Sequence, residues 1–305
     1  MFKRAASSGF RFAFKNSTTS KFQRFKQVPK FLAITGGASM GIAFFGKAEE
    51  KNSKNLEQGT GNSEKPKNFD LIVQNADELY DNYLIDNCYN ILKKFESSKC
   101  SELLWRLARV VCEKGKLAKD PNERKELILE AYQIIKKALE NEPKEGCFGA
   151  HKWYAILLDY VGEIEGNKSR IEKSFLVREH LEKALSYFEN DPTTWHILGV
   201  WHFSFANMGY ATRMVAKAIF ATPPSSTYQD ALHYFLKAEQ ISPGFYSTNT
   251  YYIGEVYEQL GQKQDAIDAF KKSFKMPVVT SDDAAIHKKA YEKLKKYGVK
   301  DSEVV

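Results

Sequence analysis

Two groups of side chains in this chain have residue types that could serve acid–base or metal chemistry. His196 and His202 are imidazoles six positions apart, and Glu255 and Glu258 are carboxylates three positions apart. Residues six apart lie on different faces of an ideal helix, so ordinary packing is favoured over a metal pair for the histidines. Carboxylates three apart share a face, but a solvated helix surface is their commoner setting. We predict neither a metal site nor a catalytic pair from these residues.

Sequence motifs of several catalytic sites are absent from the chain. It contains no HExxH zinc motif, no GxxxxGK[ST] phosphate loop and no GxGxxG sequence opening a helix after a strand. We therefore predict a noncatalytic protein without a cofactor.

The chain has four cysteines, which form neither a CxxC pair nor a cysteine–histidine set with zinc spacing. A chain of 305 residues with 43% hydrophobic residues can bury a core without covalent cross-links. We expect four free, buried thiols: Cys88, Cys100, Cys112 and Cys147.

The positive charge of the chain is concentrated near its N-terminus. Of 45 lysines and arginines, nine lie in residues 1–48, which hold no acidic residue, so 36 basic and 38 acidic residues remain in the body. Binding to nucleic acid needs a clustered basic footprint that releases counterions. The body has no such excess, and nucleic acid is not predicted as a partner.

The N-terminal segment has three parts of different composition. Residues 1–30 place basic side chains between phenylalanines, serines and threonines, without carboxylates, which is typical of a mitochondrial transit peptide; the alternative is a disordered basic tail. Residues 31–46 are uncharged, but the run is shorter than the roughly 20 residues of a membrane-spanning helix. A marginal anchor, a sorting signal that stops transfer and the end of the leader all stay open. Residues 47–68 have the composition of a flexible linker.

Apolar residues recur every three or four positions from Phe69 onward, which predicts an all-α domain over residues 69–298 and a tail at 299–305. Within it, small, bulky, small and proline positions recur as in the second helix of a tetratricopeptide unit. Small side chains let two helix backbones approach, the bulky one fills the adjoining space, and proline ends the pair. Two sets match the scheme and two keep it with altered sizes or spacing: Ala131, Ile135, Ala138, Pro143; Ala231, Phe235, Ala238, Pro243; His180, Ala184, Tyr187, Pro192; and Ala266, Phe270, Ser273, Pro277.

The preceding helices carry the other half of the repeat signature. Trp195, Leu198 and Gly199 reproduce its W-x-x-L-G core. The proline markers of successive units lie 49 and 51 residues apart, instead of about 34, so the units are enlarged. We expect the extra residues between the two helices of each unit, with the longest insertion at residues 203–220.

First helices of such units line an inner surface that can hold a peptide or an amphipathic helix. Counting from the signature positions gives the candidates for this groove: Trp105, Arg109, His151, Tyr154, His196, Phe203, Tyr251, Glu255 and Glu258. For Trp105, Tyr154 and Phe203, filling the core is an equal alternative. Arg106 and Arg109 near Lys152 suggest an acceptor for an acidic motif or a phospholipid headgroup, although pairing with neighbouring acids is the favoured role.

Four segments resemble the regulator of microtubule dynamics protein family. They are ELLWRLARVV (102–111), HKWYAILL (151–158), HILGVWHF (196–203) and PPSSTYQDALHYFLKAEQISPGFYS (223–247). The resemblance covers about residues 70–298. It implies a tetratricopeptide-like domain without enzymatic activity, associated in some members with microtubules and spindle poles and in others with mitochondria and organelle contacts.

The leading hypothesis is a noncatalytic module at mitochondria, in the matrix or attached to a membrane, whose groove binds a protein partner. One alternative, implied by the resemblance, is a microtubule-associated regulator in the cytoplasm, the cytoskeleton or at spindle poles. A second alternative is a lipid-binding or tethering domain at organelle contacts. In that case an inserted apolar helix near residues 214–220 covers a cavity.

Overall fold

A computed structural model describes residues 65–220, 225–279 and 281–304. The predictions for the leader, the apolar segment 31–46 and all but the end of the linker fall outside these residues. The described part consists of twelve α-helices and two short 3-10 helices, at Lys93–Phe95 and Asp301–Glu303, which confirms the all-α prediction. The α-helices are α1 (Phe69–Asp81), α2 (Ile85–Leu92), α3 (Ser101–Leu117), α4 (Pro121–Glu140), α5 (Phe148–Glu165), α6 (Asn167–Tyr187), α7 (Pro192–Ala206), α8 (Tyr210–Ile219), α9 (Tyr228–Ile241), α10 (Ser247–Gln259), α11 (Lys263–Lys275) and α12 (Ser281–Lys296).

Four helix pairs form the repeat units: α3 with α4, α5 with α6, α7 with α9, and α10 with α11. The second helices α4, α9 and α11 bury the predicted small and bulky positions, whereas in α6 Tyr187, at the second small position, is 39% exposed. Phe235 and Phe270 are fully buried, as are the alanines on either side of Phe235 in the scheme. The predicted repeat pattern is therefore confirmed as the packing pattern in three of the four units.

Glycines in the first helices make the close approach of each pair possible. A Cβ atom on Gly199 would lie 2.6 Å from the ring of Phe235, and one on Gly254 would lie 2.6 Å from Phe270. Real Cβ contacts are essentially never that short, so each aromatic ring occupies the space of the missing side chain. The signature glycine of each first helix thus contacts the bulky residue of the second helix in the same unit.

The prediction that extra residues lie between the helices of each unit is wrong for the first two units. Only residues 118–120 separate α3 from α4, and only Gly166 separates α5 from α6. The extra length lies in the helices, since α4 has 20 residues and α6 has 21. In the third unit the prediction is confirmed, because α8 lies between α7 and α9.

A buried ion pair fixes α5 against α6. Arg170 donates from Nε to Asp159 Oδ1 at 2.7 Å and from Nη2 to Oδ2 at 2.5 Å. Both side chains are buried. The backbones approach closely beside this pair, since a Cβ on Gly162 would lie 2.8 Å from Cα of Arg170.

The two ends of the array are also packed. At the N-terminal end, α1 and α2 pack against each other and against α3. At the C-terminal end, Val299 and Val304 are buried in the cluster that contains Phe270. All four cysteines are free and buried, as predicted.

Candidate partner-binding surface

Trp105, Arg106 and Arg109 of α3 are buried. The two arginines bind Asp77 of α1, whereas the ring of Trp105 lies against Gly149 of α5. Arg106 donates from Nε to both carboxylate oxygens of Asp77 at 3.1 Å and from Nη1 to Glu102 Oε2 at 2.6 Å. Arg109 donates from Nη2 to Asp77 Oδ1 at 2.7 Å. Trp105 donates from its indole nitrogen to Glu102 at 2.8 Å. The two arginines therefore belong to the junction between α1 and α3, and core filling is the alternative that holds for Trp105.

Aromatic rings complete this junction. The guanidinium of Arg109 lies 3.9 Å from the ring centre of Tyr80, and that of Arg106 lies 4.2 Å from the ring centre of Trp105. Burial raises the pKa of Asp77, but the hydrogen bonds and charges of the two arginines outweigh it and lower the pKa below its ordinary value. The aspartate therefore stays ionised and holds both arginines.

Lys152 of α5 lies in a different junction. Its Nζ donates to Asp191 Oδ2 at 2.8 Å, and Asp191 is the N-cap of α7, where it accepts from the Thr194 amide at 2.8 Å. Arg106, Arg109 and Lys152 therefore do not combine into an acceptor for an acidic motif or a phospholipid headgroup. Pairing with neighbouring acids, the favoured alternative, is what the structure shows.

His151 of α5 contacts a second histidine. Its Nδ1 lies 2.8 Å from Nδ1 of His180 on α6, so one ring donates and the other accepts. Its Nε2 lies 3.2 Å from Glu142 Oε2. Burial lowers the pKa of His180 to about 4, and the neighbouring His151 adds to that effect. His151 is thus a buried contact between α5 and α6 and does not face a groove.

His196 of α7 connects one unit with the next. It is only 2% exposed, and its Nδ1 lies 3.0 Å from Oδ1 of Asn249 on α10. Asn249 in turn donates to the carbonyl oxygen of Phe235 at 3.1 Å. Burial lowers the pKa of His196 to about 4, so the ring is neutral at pH 7. The prediction that His196 faces the groove is wrong, because α10 covers it.

Tyr154 and Phe203 fill space between helices. Tyr154 is half-buried, with its ring 4.4 Å from that of His180. Phe203 is buried against the rings of Tyr228 and Tyr252, at 5.9 and 5.3 Å. Of these two groove candidates, only Tyr154 retains partly accessible surface.

In the last unit, too, a neighbouring helix contacts the predicted groove residues. Tyr251 is buried and its hydroxyl donates to Glu255 Oε1 at 3.1 Å. Lys293 of α12 bridges Glu255 and Glu258, and Lys296 contacts Glu258 at 3.2 Å. The two carboxylates are ion-paired structural contacts with partly accessible edges.

The most accessible apolar side chains of the inserted region are on α8, which was not among the predicted site residues. Tyr210 is 81% exposed and Met214 48% exposed, and Val215 is exposed beside them. The sequence predicted an apolar helix here, and in the lipid-binding alternative this helix covers a cavity. Its outward apolar positions lie four residues apart, and this spacing was the signal available in the sequence.

None of the helices within 65–220, 225–279 and 281–304 is long and apolar enough to cross a membrane. The same residues contain no group of three or more histidine, cysteine, aspartate or glutamate side chains arranged to hold a metal ion.

Paired helices with glycine–aromatic contacts, joined by polar contacts between units, define a helical-repeat protein of the tetratricopeptide kind. The chain belongs to the regulator of microtubule dynamics protein family, since residues 72–298 match the family described as "Regulator of microtubule dynamics protein 1-3". The resemblance noted from the sequence is therefore confirmed.

Relatives that carry this family name agree with the assignment. Regulator of microtubule dynamics protein 1 of Mus musculus is 40% identical over 224 residues, which cover 73% of this chain and 73% of that protein. Regulator of microtubule dynamics protein 3 of Rattus norvegicus is 31% identical and covers 72% of this chain and 47% of that protein. A solved structure titled "Crystal structure of YrrB: a TPR protein with an unusual peptide-binding site" is 17% identical, covers 82% of this chain and 98% of that one, and has a TM-score of 0.41.

Proposed function

We propose that this protein is a noncatalytic regulator of microtubules that acts by binding a protein partner through its helical domain. The observation that carries the proposal is the family match, which runs from α1 to the residues just after α12. The packing supports it, because ion pairs and hydrogen bonds between units hold the helices in a fixed array. Such arrays present extended surfaces to partners.

The charge of the chain favours a microtubule-associated protein as the partner over the microtubule lattice itself. Tubulin is acidic, and a direct contact would need a basic surface. The body of the chain has 36 basic and 38 acidic residues, and many of its cations are already paired, among them Arg106, Lys152 and Lys293.

Co-sedimentation of the full chain tests this choice of partner. The chain should not pellet with microtubules of pure tubulin at physiological salt, but should pellet with microtubules that retain their associated proteins. A control variant with glutamine at every lysine and arginine of residues 1–30 removes attraction by the leader. Salt-sensitive pelleting of that variant with pure microtubules would contradict the proposal.

We also propose that residues 1–46 hold the protein at mitochondria with the helical domain on the cytosolic side. The composition of residues 1–30 and the uncharged run at 31–46 support the mitochondrial placement, and the cytosolic side follows from the proposed action on microtubules. The test is protease treatment of intact mitochondria that carry the chain with a C-terminal tag, followed by N-terminal sequencing. Digestion of a domain that still starts at Met1 is the expected result; a protected, shortened domain would show import and remove access to microtubules.

A further inference from the structure

The inserted helix α8 presents two parallel rows of side chains on its outward face. Tyr210 and Met214, four residues apart, form an apolar row, and Arg213 and Lys217, also four apart, form a basic row beside it. All four side chains are exposed. We call these four residues, together with Val215, the α8 surface.

The opposite face of α8 is occupied by packing, so the helix is held in place. Ala216 is fully buried within the cluster that contains Trp201. Phe220, directly after the helix, meets Phe175 of α6 edge to face with ring centres 4.8 Å apart. The outward face of α8 is therefore fixed relative to α6.

The neighbouring part of α6 is apolar as well. Phe175 and Leu176, neighbours in the sequence on one turn of this helix, are 36% and 37% exposed. Exposed apolar side chains that gather on adjoining elements mark interaction sites in soluble proteins. The contact of Phe175 with Phe220 places this apolar turn of α6 at the C-terminal end of α8.

The cations of the α8 surface have no carboxylate partners among the described residues. No acidic residue occurs in 192–229, and Arg213 donates only to the carbonyl oxygen of Met208, at 3.3 Å. Two acids on the exposed side of α6 are engaged elsewhere: Glu172 pairs with Lys168, and Glu182 pairs with Arg178. This differs from the cations predicted for the groove, each of which has an acidic partner.

We propose that the α8 surface binds an acidic segment of a protein partner, with bulky apolar side chains against Tyr210 and Met214 and carboxylates on Arg213 and Lys217. The inference rests on the proposed function as a protein-binding module and adds the site and the chemistry of the segment. A guanidinium fits a carboxylate in a two-pronged geometry, which favours a carboxylate-bearing segment. Two cations give only weak attraction to an anionic membrane, where stable attachment takes stronger signals.

The test uses short random peptides displayed on phage as the probe, selected in parallel on the full chain and on its variants. Enriched peptides should combine aspartate or glutamate with leucine, phenylalanine or tryptophan. Affinity for them should fall at least about tenfold in Arg213→Glu/Lys217→Glu and in Tyr210→Ser/Met214→Ser. Arg124→Glu/Lys125→Glu on α4 and Val278→Ser/Val279→Ser should bind as the unaltered chain does, because they make matched changes at exposed residues elsewhere.

Circular dichroism melts of each variant confirm that these surface changes leave the fold intact. The inference is overturned if no peptide is enriched, if the enriched peptides lack carboxylates, or if the charge-reversed variant binds them equally well. It is also overturned if the chain floats with phosphatidylserine vesicles and the same charge reversal abolishes flotation, since the surface would then serve a membrane. Rescue of microtubule behaviour in cells is a separate measurement, so failure here is distinguishable from failure of the proposed function.

Discussion

A Cβ atom on Gly254 would lie 2.6 Å from Cε1 of Phe270, so α10 and α11 meet without room for a methyl group. Gly254→Ala should therefore destabilise the protein by about 1–3 kcal/mol through overpacking. Chemical denaturation measures the free energy of unfolding. The double variant Gly254→Ala/Phe270→Leu should cost less than the sum of its single changes, because the smaller side chain makes room for the methyl group. Strict additivity would show that the two residues do not share this contact.

The buried pair of Asp159 and Arg170 should be among the polar contacts most sensitive to substitution. Asp159→Asn removes the carboxylate that Arg170 binds at 2.5 and 2.7 Å and should cost about 3–5 kcal/mol of unfolding free energy. Lys288→Ala breaks the exposed pair with Glu292, at 4.0 Å, and should leave stability nearly unchanged. Equal effects of the two substitutions would contradict the assigned role of burial.

Acid should weaken the fold as the buried histidines take up protons, and the Asp159 carboxyl, whose pKa burial raises to about 6, should offset only part of that loss. Burial lowers the pKa of His180, His196 and His202 from 6.5 to about 4. The unfolded chain then binds more protons than the folded chain between about pH 6.5 and 4, so stability present above this window is lost as the pH falls through it. Urea midpoints should drop between pH 7 and pH 5. His196→Gln should flatten the drop and His233→Gln, at an exposed position, should not; a midpoint independent of pH would contradict this account.

Asp191 should stabilise the fold through two helices, α7 and α5. It caps α7 by accepting from the Thr194 amide, and it accepts from Lys152 of α5. Asp191→Ala removes both contacts and should cost about 1–3 kcal/mol, whereas Lys152→Met removes only the ion pair and should cost less. Thermal or chemical denaturation of both variants measures the difference. A larger loss for Lys152→Met would show that the cap contributes little.

The packing of the units could be predicted from the sequence because the residues on each side of a contact belong to a short local motif. Gly199 ends a W-x-x-L-G signature, and Phe235 stands between two small positions, so spacing alone identified both sides of the contact. The extra residues of the first two units were predicted between the helices and lie within them. Helical periodicity inside α4 and α6 does not reveal where a turn interrupts it. Gly166 as the whole linker between α5 and α6 carries no strong signal of its own.

The site was less predictable, since counting along a helix gives the direction of a side chain but not what covers it. His196 points as counted, but Asn249 of the next unit lies against it. Asp77 could not be assigned to Arg106, because 29 residues separate them and no pattern links the two. His180 did leave a signal: it replaces the small residue expected at its position, and the larger ring reaches His151.

The central claim, that this chain acts on microtubules through its helical domain, is tested most directly by the growth and shortening rates of microtubules in cells that lack it. Both rates should change on deletion. The full chain should restore them, while residues 1–68 alone should not. Unchanged rates after deletion, or restoration by residues 1–68, would contradict the claim.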